Sequence, residues 1–233
     1  MWGFVDCTRY YMSAGRANVV LFNASLRVET HEKVALLVRP GQGKSTIIRM
    51  LAGLDRPDQG TVLRDAGGWP LGYSGGFHGE MSGDANIRNF AELADVDPLD
   101  LSAFCYDFSE LGELYHQPVK LYSSTMKARL AMAASLGIPV RTYLADDKLA
   151  AGDGHFRAKC MAALAERLSD CGLIFVTSNA RPAKEVCDSF YVLSGGEFIR
   201  CDDFEHATDL FASTSGQEPD EAVDADIPTF DLA

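Results

Sequence analysis

The chain lacks long hydrophobic runs and is poor in basic residues. No apolar stretch approaches the ~20 residues that a membrane-spanning helix needs, and residues 1–6 lack the charged and apolar regions of a signal peptide. Lys and Arg number 21 against 33 Asp and Glu, so the net charge is −12. This balance argues against a nucleic-acid-binding protein, which needs a basic surface. We expect a cytoplasmic protein that reaches a membrane only through a partner.

Cysteines at disulfide or metal-ligand spacing are missing as well. The six cysteines are scattered, with no C-x-x-C pair and no suitably spaced histidine, so we expect reduced and mainly structural thiols. The 47% hydrophobic content of these 233 residues is enough for one large domain with a sizeable core. Residues 213–233 carry six acids and no base, which is half of the net charge. We expect this acidic tail to be disordered.

The most informative stretch is Val38-Arg39-Pro40-Gly41-Gln42-Gly43-Lys44-Ser45-Thr46, which we call the phosphate loop. It lies between an apolar run, 34–38, and a helical pattern, 47–52. A strand, a glycine-containing loop and a helix that opens on Lys-Ser direct backbone N–H groups at a polyphosphate. We predict that the residues of this loop from Arg39 to Thr46 bind the nucleotide phosphates. Lys44 would lie at the β- and γ-phosphates and Ser45 on Mg²⁺. The simpler alternative is a glycine-rich turn with a surface lysine.

A second informative stretch, which is acidic, follows the phosphate loop about a hundred residues later. Residues 141–147 read as a short strand that ends in Asp146 and Asp147. Ligands of open α/β sheets lie at the carboxyl ends of strands, so Asp146 is a candidate for holding Mg²⁺ and Asp147 for polarising water. The alternative is an ordinary acidic junction between a strand and a loop. The chain between Lys44 and Asp146 is long enough for an inserted helical piece and the crossovers.

Other segments predict the rest of an α/β fold. Residues 4–11, 19–22 and 24–28 indicate an N-terminal antiparallel sheet, in which Tyr10 or Tyr11 would either stack on an adenine or pack the sheet. Residues 69–83 indicate a glycine-rich functional loop. Helical patterns follow, and Ser123 or Ser124 reads either as a helix N-cap or as a phosphate contact. A buried strand at 172–177, a helix through Cys187 and a hairpin at 190–200 complete the pattern.

These stretches, up to about Phe211, resemble the nucleotide-binding subunit of an ABC transporter. More narrowly, they resemble the stand-alone ATPases of capsular and related polysaccharide exporters. The narrower resemblance rests on three groups of residues: Trp69-Pro70-Leu71-Gly72 with Gly75-Gly76-Phe77, Tyr122-Ser123-Ser124, and Ala151-Gly152-Asp153 with Phe156 and Lys159-Cys160.

The resemblance implies a P-loop ATPase core over residues 1–212. This core has a mixed sheet flanked by helices, an N-terminal antiparallel β part and a helical subdomain inserted at about 78–135. The resemblance also implies ATP and Mg²⁺ as ligands, and a homodimer or a heterodimer with a paralogous ATPase. It further implies a polytopic membrane permease as partner and a peripheral location on the inner face of the cell membrane.

The resemblance assigns roles to individual residues. Tyr10 would stack on adenine, and the His78 loop would contact Mg²⁺, water and the membrane subunit. The segment Ser123-Ser124-Thr125 would reach the γ-phosphate bound by the other subunit. Asp147 would stand at the catalytic base position, and Asp153 in the loop that couples the dimer.

Five residues differ from the family's pattern. They are Val38 and Thr125 in place of glycines, His78 in place of Gln, Asp147 in place of the catalytic Glu, and Ser178 in place of the switch His. All five concern hydrolysis or closure, whereas the residues that hold Mg-nucleotide are kept. We therefore expect nucleotide binding with slow or absent hydrolysis. Two functions remain open, an ATPase that drives polysaccharide export and a regulatory or structural nucleotide-binding subunit. A soluble P-loop kinase is disfavoured because it gives the Tyr122 segment no role.

Overall fold

Two β-sheets organise the chain in the computed structural model, which describes residues 1–13 and 16–214. The smaller sheet is antiparallel and the larger is mixed, because its last pair alone is antiparallel. The smaller sheet has the order β2 (Arg16–Val28), β1 (Trp2–Ser13), β4 (Gln59–Leu63). The larger has the order β5 (Gly68–Pro70), β6 (Thr142–Asp146), β7 (Gly172–Thr177), β3 (Lys33–Leu37), β8 (Ser189–Ser194), β9 (Glu197–Cys201).

Helices surround the larger sheet. Three of them follow one another between β5 and β6, where the sequence predicted an inserted helical piece. The α-helices are α1 (Lys44–Leu51), α2 (Gly83–Leu93), α3 (Pro98–Ser109), α4 (Ser124–Gly137), α5 (Gly154–Arg167), α6 (Ala180–Val186) and α7 (Phe204–Ser213), with 3-10 turns at Gly112–His116 and Val119–Leu121. None of the helices among the described residues is long and apolar enough to cross a membrane.

The central strands are buried on both faces, as parallel strands between helical layers must be. In β3, Ala35 and Leu37 pack into a cluster with α3, α4 and α5, whereas Val34 and Leu36 pack into a second cluster with α1 and the smaller sheet. This alternation fixes the register of β3, because a slip of one residue would exchange the two faces. The phosphate loop therefore begins at the end of a strand whose position is fixed by packing on both faces.

The structure corrects three details of the sequence-based expectations. The strands expected at 19–22 and 24–28 are one strand, β2, in which Asn23 adopts a left-handed backbone with φ 46°. Helix α7 was not predicted. It ends at Ser213 and Thr214 is buried, so the first two residues assigned to the acidic tail belong to the folded part. The remainder of that tail, residues 215–233, lies outside the described residues.

Candidate functional site

The phosphate loop connects β3 to α1 and exposes the beginning of that helix. Val38 is fully buried and donates its N–H to the Thr177 carbonyl at 2.9 Å. Gly43 has φ 89°, and a Cβ there would lie 2.3 Å from the side chain of Val20, so glycine is required. Among the described residues no side chain caps α1, which leaves the first N–H groups of the helix available to an anion. The loop fits a bound phosphate.

The carboxyl end of β6 lies directly against this helix start. The Ser45 hydroxyl donates to Asp146 Oδ2 at 2.6 Å, and Lys44 Nζ lies 3.4 Å from Asp147 Oδ2. The fold thus brings together the two elements that the sequence placed about a hundred residues apart. A hydroxyl and a carboxylate are hard oxygen donors, the ligand type that Mg²⁺ prefers, so Ser45 and Asp146 are able to hold this ion.

Asp147 is held through both of its oxygens, by hydrogen bonds to Oδ1 and by the Lys44 ion pair at Oδ2. Its backbone is left-handed, with φ 58°, and Oδ1 accepts from the Thr177 hydroxyl at 2.9 Å, the Ser178 N–H at 3.0 Å and the Ser178 hydroxyl at 3.4 Å. Burial alone would raise the pKa of Asp147, but the Ser178 N–H, the Thr177 hydroxyl and Lys44 outweigh it and lower the pKa. A fixed carboxylate with a lowered pKa is a weak base.

This lowered pKa predicts an acid-sensitive contribution to stability. A depressed folded-state pKa stabilises the fold above the unfolded value, near 4, and the contribution disappears as pH falls through the folded pKa. We expect Asp147→Asn to lose less unfolding free energy than the wild type between pH 5 and pH 3. Urea unfolding at both pH values measures this difference. Equal losses in the two proteins would contradict it.

A cleft of about 490 Å³ extends from Asp146, at the end of β6, to the N-terminus of α4. Ser45, Asp146 and Ser124 line it together with residues 70–75 of the glycine-rich loop. Ser123 is the N-cap of α4 and accepts from the Met126 N–H at 3.2 Å, so the capping interpretation is confirmed for this serine. Ser124 lines the same cleft as Ser45 and Asp146, the candidate Mg²⁺ ligands, and the neighbouring Thr125 is exposed.

His78 is tied to α2 rather than to the carboxylates. Its N–H donates to Asn86 Oδ1 at 2.7 Å, and its carbonyl accepts from Asn86 Nδ2 at 3.1 Å. Asn86 is almost fully buried, so the loop is firmly fixed at this point. Among the described contacts, none joins His78 to Ser45 or Asp146, and its metal role stays a prediction.

Comparisons with known proteins identify the family. The model of the ABC transporter family matches residues 21–73. The ATP-binding protein BexA of Haemophilus influenzae is 39% identical over 89% of this chain and 96% of its own length. The capsule polysaccharide export ATP-binding protein CtrD of Neisseria meningitidis serogroup B is 37% identical over 88% of this chain and 96% of its own. This chain belongs to the ABC transporter family of ATP-binding proteins.

The fold of this ABC protein agrees with that of a solved cassette. A dimeric structure of the ATP-binding cassette MJ0796 in a post-hydrolysis state, bound to ADP and Pi, matches with a TM-score of 0.72. The match covers 86% of this chain and 97% of that chain at 19% sequence identity. The predicted α/β architecture, a mixed sheet flanked by helices with an N-terminal antiparallel part, is therefore confirmed.

Of the two adjacent tyrosines, Tyr11 is the one that contacts α1. Its hydroxyl lies 3.2 Å from Thr46 Oγ1 and also bonds to Asp55 and Arg49. Successive residues of a strand point to opposite faces, so Tyr10 is directed away from this contact. Tyr10 instead donates its backbone N–H to Asp58 Oδ2 at 3.0 Å. The position of Tyr11 makes it the better candidate for an aromatic contact beside the phosphate loop.

Two residues of this region, Thr177 and Arg129, were missed by the sequence analysis, and Lys159 was named there without its ion-pair partner. Thr177 orients Asp147, and a hydroxyl at the last position of β7 was the available signal. Arg129 of α4 binds Asp153 at 2.7 Å, and Lys159 of α5 binds Glu110 at 2.9 Å. These ion pairs connect the start of α5 with α4 and the end of α3, which a sequence pattern does not reveal.

Proposed function

We propose that this protein is the ATP-binding subunit of a transporter that exports a capsular or other cell-surface polysaccharide. The observation that supports this function is its similarity, over nearly the whole chain, to CtrD, whose name states capsule polysaccharide export. The site agrees with this proposal because Ser45 of the phosphate loop bonds to Asp146 at the end of β6, Lys44 pairs with the following Asp147, and Ser45 and Asp146 line one cleft.

The residues divide the binding of Mg-ATP among them. Backbone N–H groups from Gly41 to Thr46 and the Lys44 ammonium would hold the phosphates, and Ser45 with Asp146 would hold Mg²⁺. Bound Mg-ATP supplies a phosphoryl group whose transfer to water drives transport. Lys44 must leave Asp147 to reach the phosphates, so nucleotide binding releases the carboxylate from this ion pair.

We further propose that the protein works as a dimer on the inner face of the membrane. The exposed start of α4, at Ser124 and Thr125, would contact the phosphates bound by the other subunit. That subunit is either a second copy or a paralogous ATPase, and a polytopic permease would anchor both. MJ0796, whose fold this chain shares, is dimeric in its solved structure.

A second candidate is a nucleotide-binding subunit that hydrolyses ATP slowly or not at all. The bonds of Asp147 to Thr177 and Ser178 favour it, since they fix the carboxylate in place and contribute to its lowered pKa. Such a subunit would stabilise or regulate an exporter whose partner ATPase carries out turnover.

Deletion of the gene in its source organism, followed by complementation, tests the exporter function. We expect loss of polysaccharide from the cell surface with accumulation inside the cell, because synthesis would continue without export. The wild-type gene should restore surface polysaccharide. Unchanged surface polysaccharide in the deletion strain would refute the proposal. Restoration by a variant that binds ATP but does not hydrolyse it would favour the second candidate.

A further inference from the structure

Arg39, the second residue of the phosphate loop, caps the C-terminal end of α7. Its Nη2 donates to the Phe211 carbonyl and, at 3.4 Å, to the Ala212 carbonyl, and its Nε donates to Thr214 Oγ1 at 3.1 Å. The guanidinium also lies over the Phe211 ring, 4.9 Å from its centroid. The last carbonyls of a helix lack partners within the helix, so an arginine there satisfies them and complements the helix dipole.

Helix α7 is a firm support for this contact. Ala207 is fully buried, and Phe204 packs edge to face against Phe190 of β8 with ring centroids 5.5 Å apart. Thr214 is only 8% exposed and donates to the Phe211 carbonyl at 2.9 Å. The groups that Arg39 contacts are therefore ordered by packing on the sheet.

The backbone of Arg39 belongs to the turn that shapes the phosphate loop. Its carbonyl accepts the Gln42 N–H at 3.1 Å, immediately before Gly43 and Lys44. The preceding residue, Val38, is anchored to β7 through Thr177. A displacement of α7 would therefore shift Arg39, whose carbonyl forms the hydrogen bond of the loop turn.

We propose that Arg39 is a positioning residue that couples the docking of α7 to the shape of the phosphate loop. This proposal rests on the proposed binding of nucleotide. Each event then strengthens the other, because a coupling free energy between two sites is reciprocal. The competing role for Arg39 is a direct contact with the nucleotide. Substitutions on α7 separate the two roles, since Phe211 and Thr214 lie outside the phosphate loop.

The experiment compares MgADP affinities of full-length variants by calorimetry. We expect Thr214→Val to weaken binding about fivefold, the equivalent of one hydrogen bond, and Arg39→Met about tenfold. The double variant should bind no more weakly than Arg39→Met alone. Thr208→Val is the matched control, because the Thr208 hydroxyl bonds within α7 to the Glu205 carbonyl. The affinity of this variant for MgADP should equal that of the wild type. Wild-type affinity in Thr214→Val and in a variant within α7, Phe211→Leu, would overturn the coupling.

Two further measurements keep the possible failures apart. MgADP should slow hydrogen exchange of the α7 amides in the wild type, and unchanged exchange would count against the coupling. Without nucleotide, the unfolding free energies of Arg39→Met and Thr214→Val should be non-additive if the contact exists, and additivity would overturn it. A wild-type protein that does not bind MgADP would refute the proposed function itself. Normal MgADP binding by the wild type, with the same affinity in the Thr214 and Phe211 variants, would refute only this inference.

Discussion

Alanine in place of Lys44 should nearly abolish nucleotide binding. The ammonium group is the one charge of the phosphate loop that points into the site, whereas Arg39 is engaged with α7. A hydrogen bond to a charged group contributes about 1.5–3 kcal/mol, so we expect a loss of affinity of about a hundredfold. Equilibrium titration of the purified protein with MgATP at low temperature measures it directly.

Lys148→Ala is the matched control for this variant. Lys148 is exposed and lines the cleft beside Asp146, so its removal changes the net charge equally without removing the predicted phosphate ligand. Its affinity should stay close to that of the wild type. Equal losses in the two variants would show that only the overall charge of the cleft attracts the nucleotide, and Lys44 would lose its assigned role.

The convergence of the phosphate loop and β6 was predictable from sequence for a simple reason. Each half is a local pattern, a strand followed by either a glycine loop or two carboxylates, and parallel strands place their carboxyl ends at one edge of a sheet. The contact between Ser45 and Asp146 follows from this topology. Residues with roles fixed by one strand and its next turn can therefore be assigned from the sequence.

Residues whose roles depend on a distant partner could not be assigned in this way. The sequence placed Arg39 among the phosphate ligands, but its side chain is directed to a helix about 170 residues later, which had not been predicted. Tyr10 and Tyr11 are equivalent in a pattern, and only the strand's face decides which one meets α1. A one-residue uncertainty in the register of β1 is enough to exchange them.

The departures of Asp147 and Ser178 from the family pattern are connected in space. Both Ser178 donors bond to Asp147 Oδ1, so the residue that the resemblance assigns to the switch position restrains the one that it assigns to the base position. In the sequence alone these are two separate departures. The structure shows one local arrangement, in which the Asp147 carboxylate is bound to Thr177 at the end of β7 and to Ser178.

Restoring both residues should therefore raise ATP hydrolysis more than restoring either one. Glutamate at 147 carries its carboxylate one methylene farther from the backbone, and histidine at 178 replaces the hydroxyl donor to that carboxylate with an imidazole. Misplacement of a catalytic group by about an ångström costs on the order of a hundredfold in rate, so we expect a gain of about that size in Asp147→Glu/Ser178→His. Steady-state phosphate release by the purified protein measures it.

The binding step separates this gain from a general improvement of the site. Lys44, Ser45 and Asp146 are untouched, so the affinity for MgATP should change little while turnover rises. Asp147→Asn is the control, because it keeps the hydrogen-bonding shape but removes the charge that makes the carboxylate a base. It should hydrolyse no faster than the wild type. Turnover of the wild type at about 1–10 per second, lost in Asp147→Asn, would mean that the aspartate already acts as an efficient base. The restraint by Thr177 and Ser178 would then serve to orient Asp147 rather than to disable it.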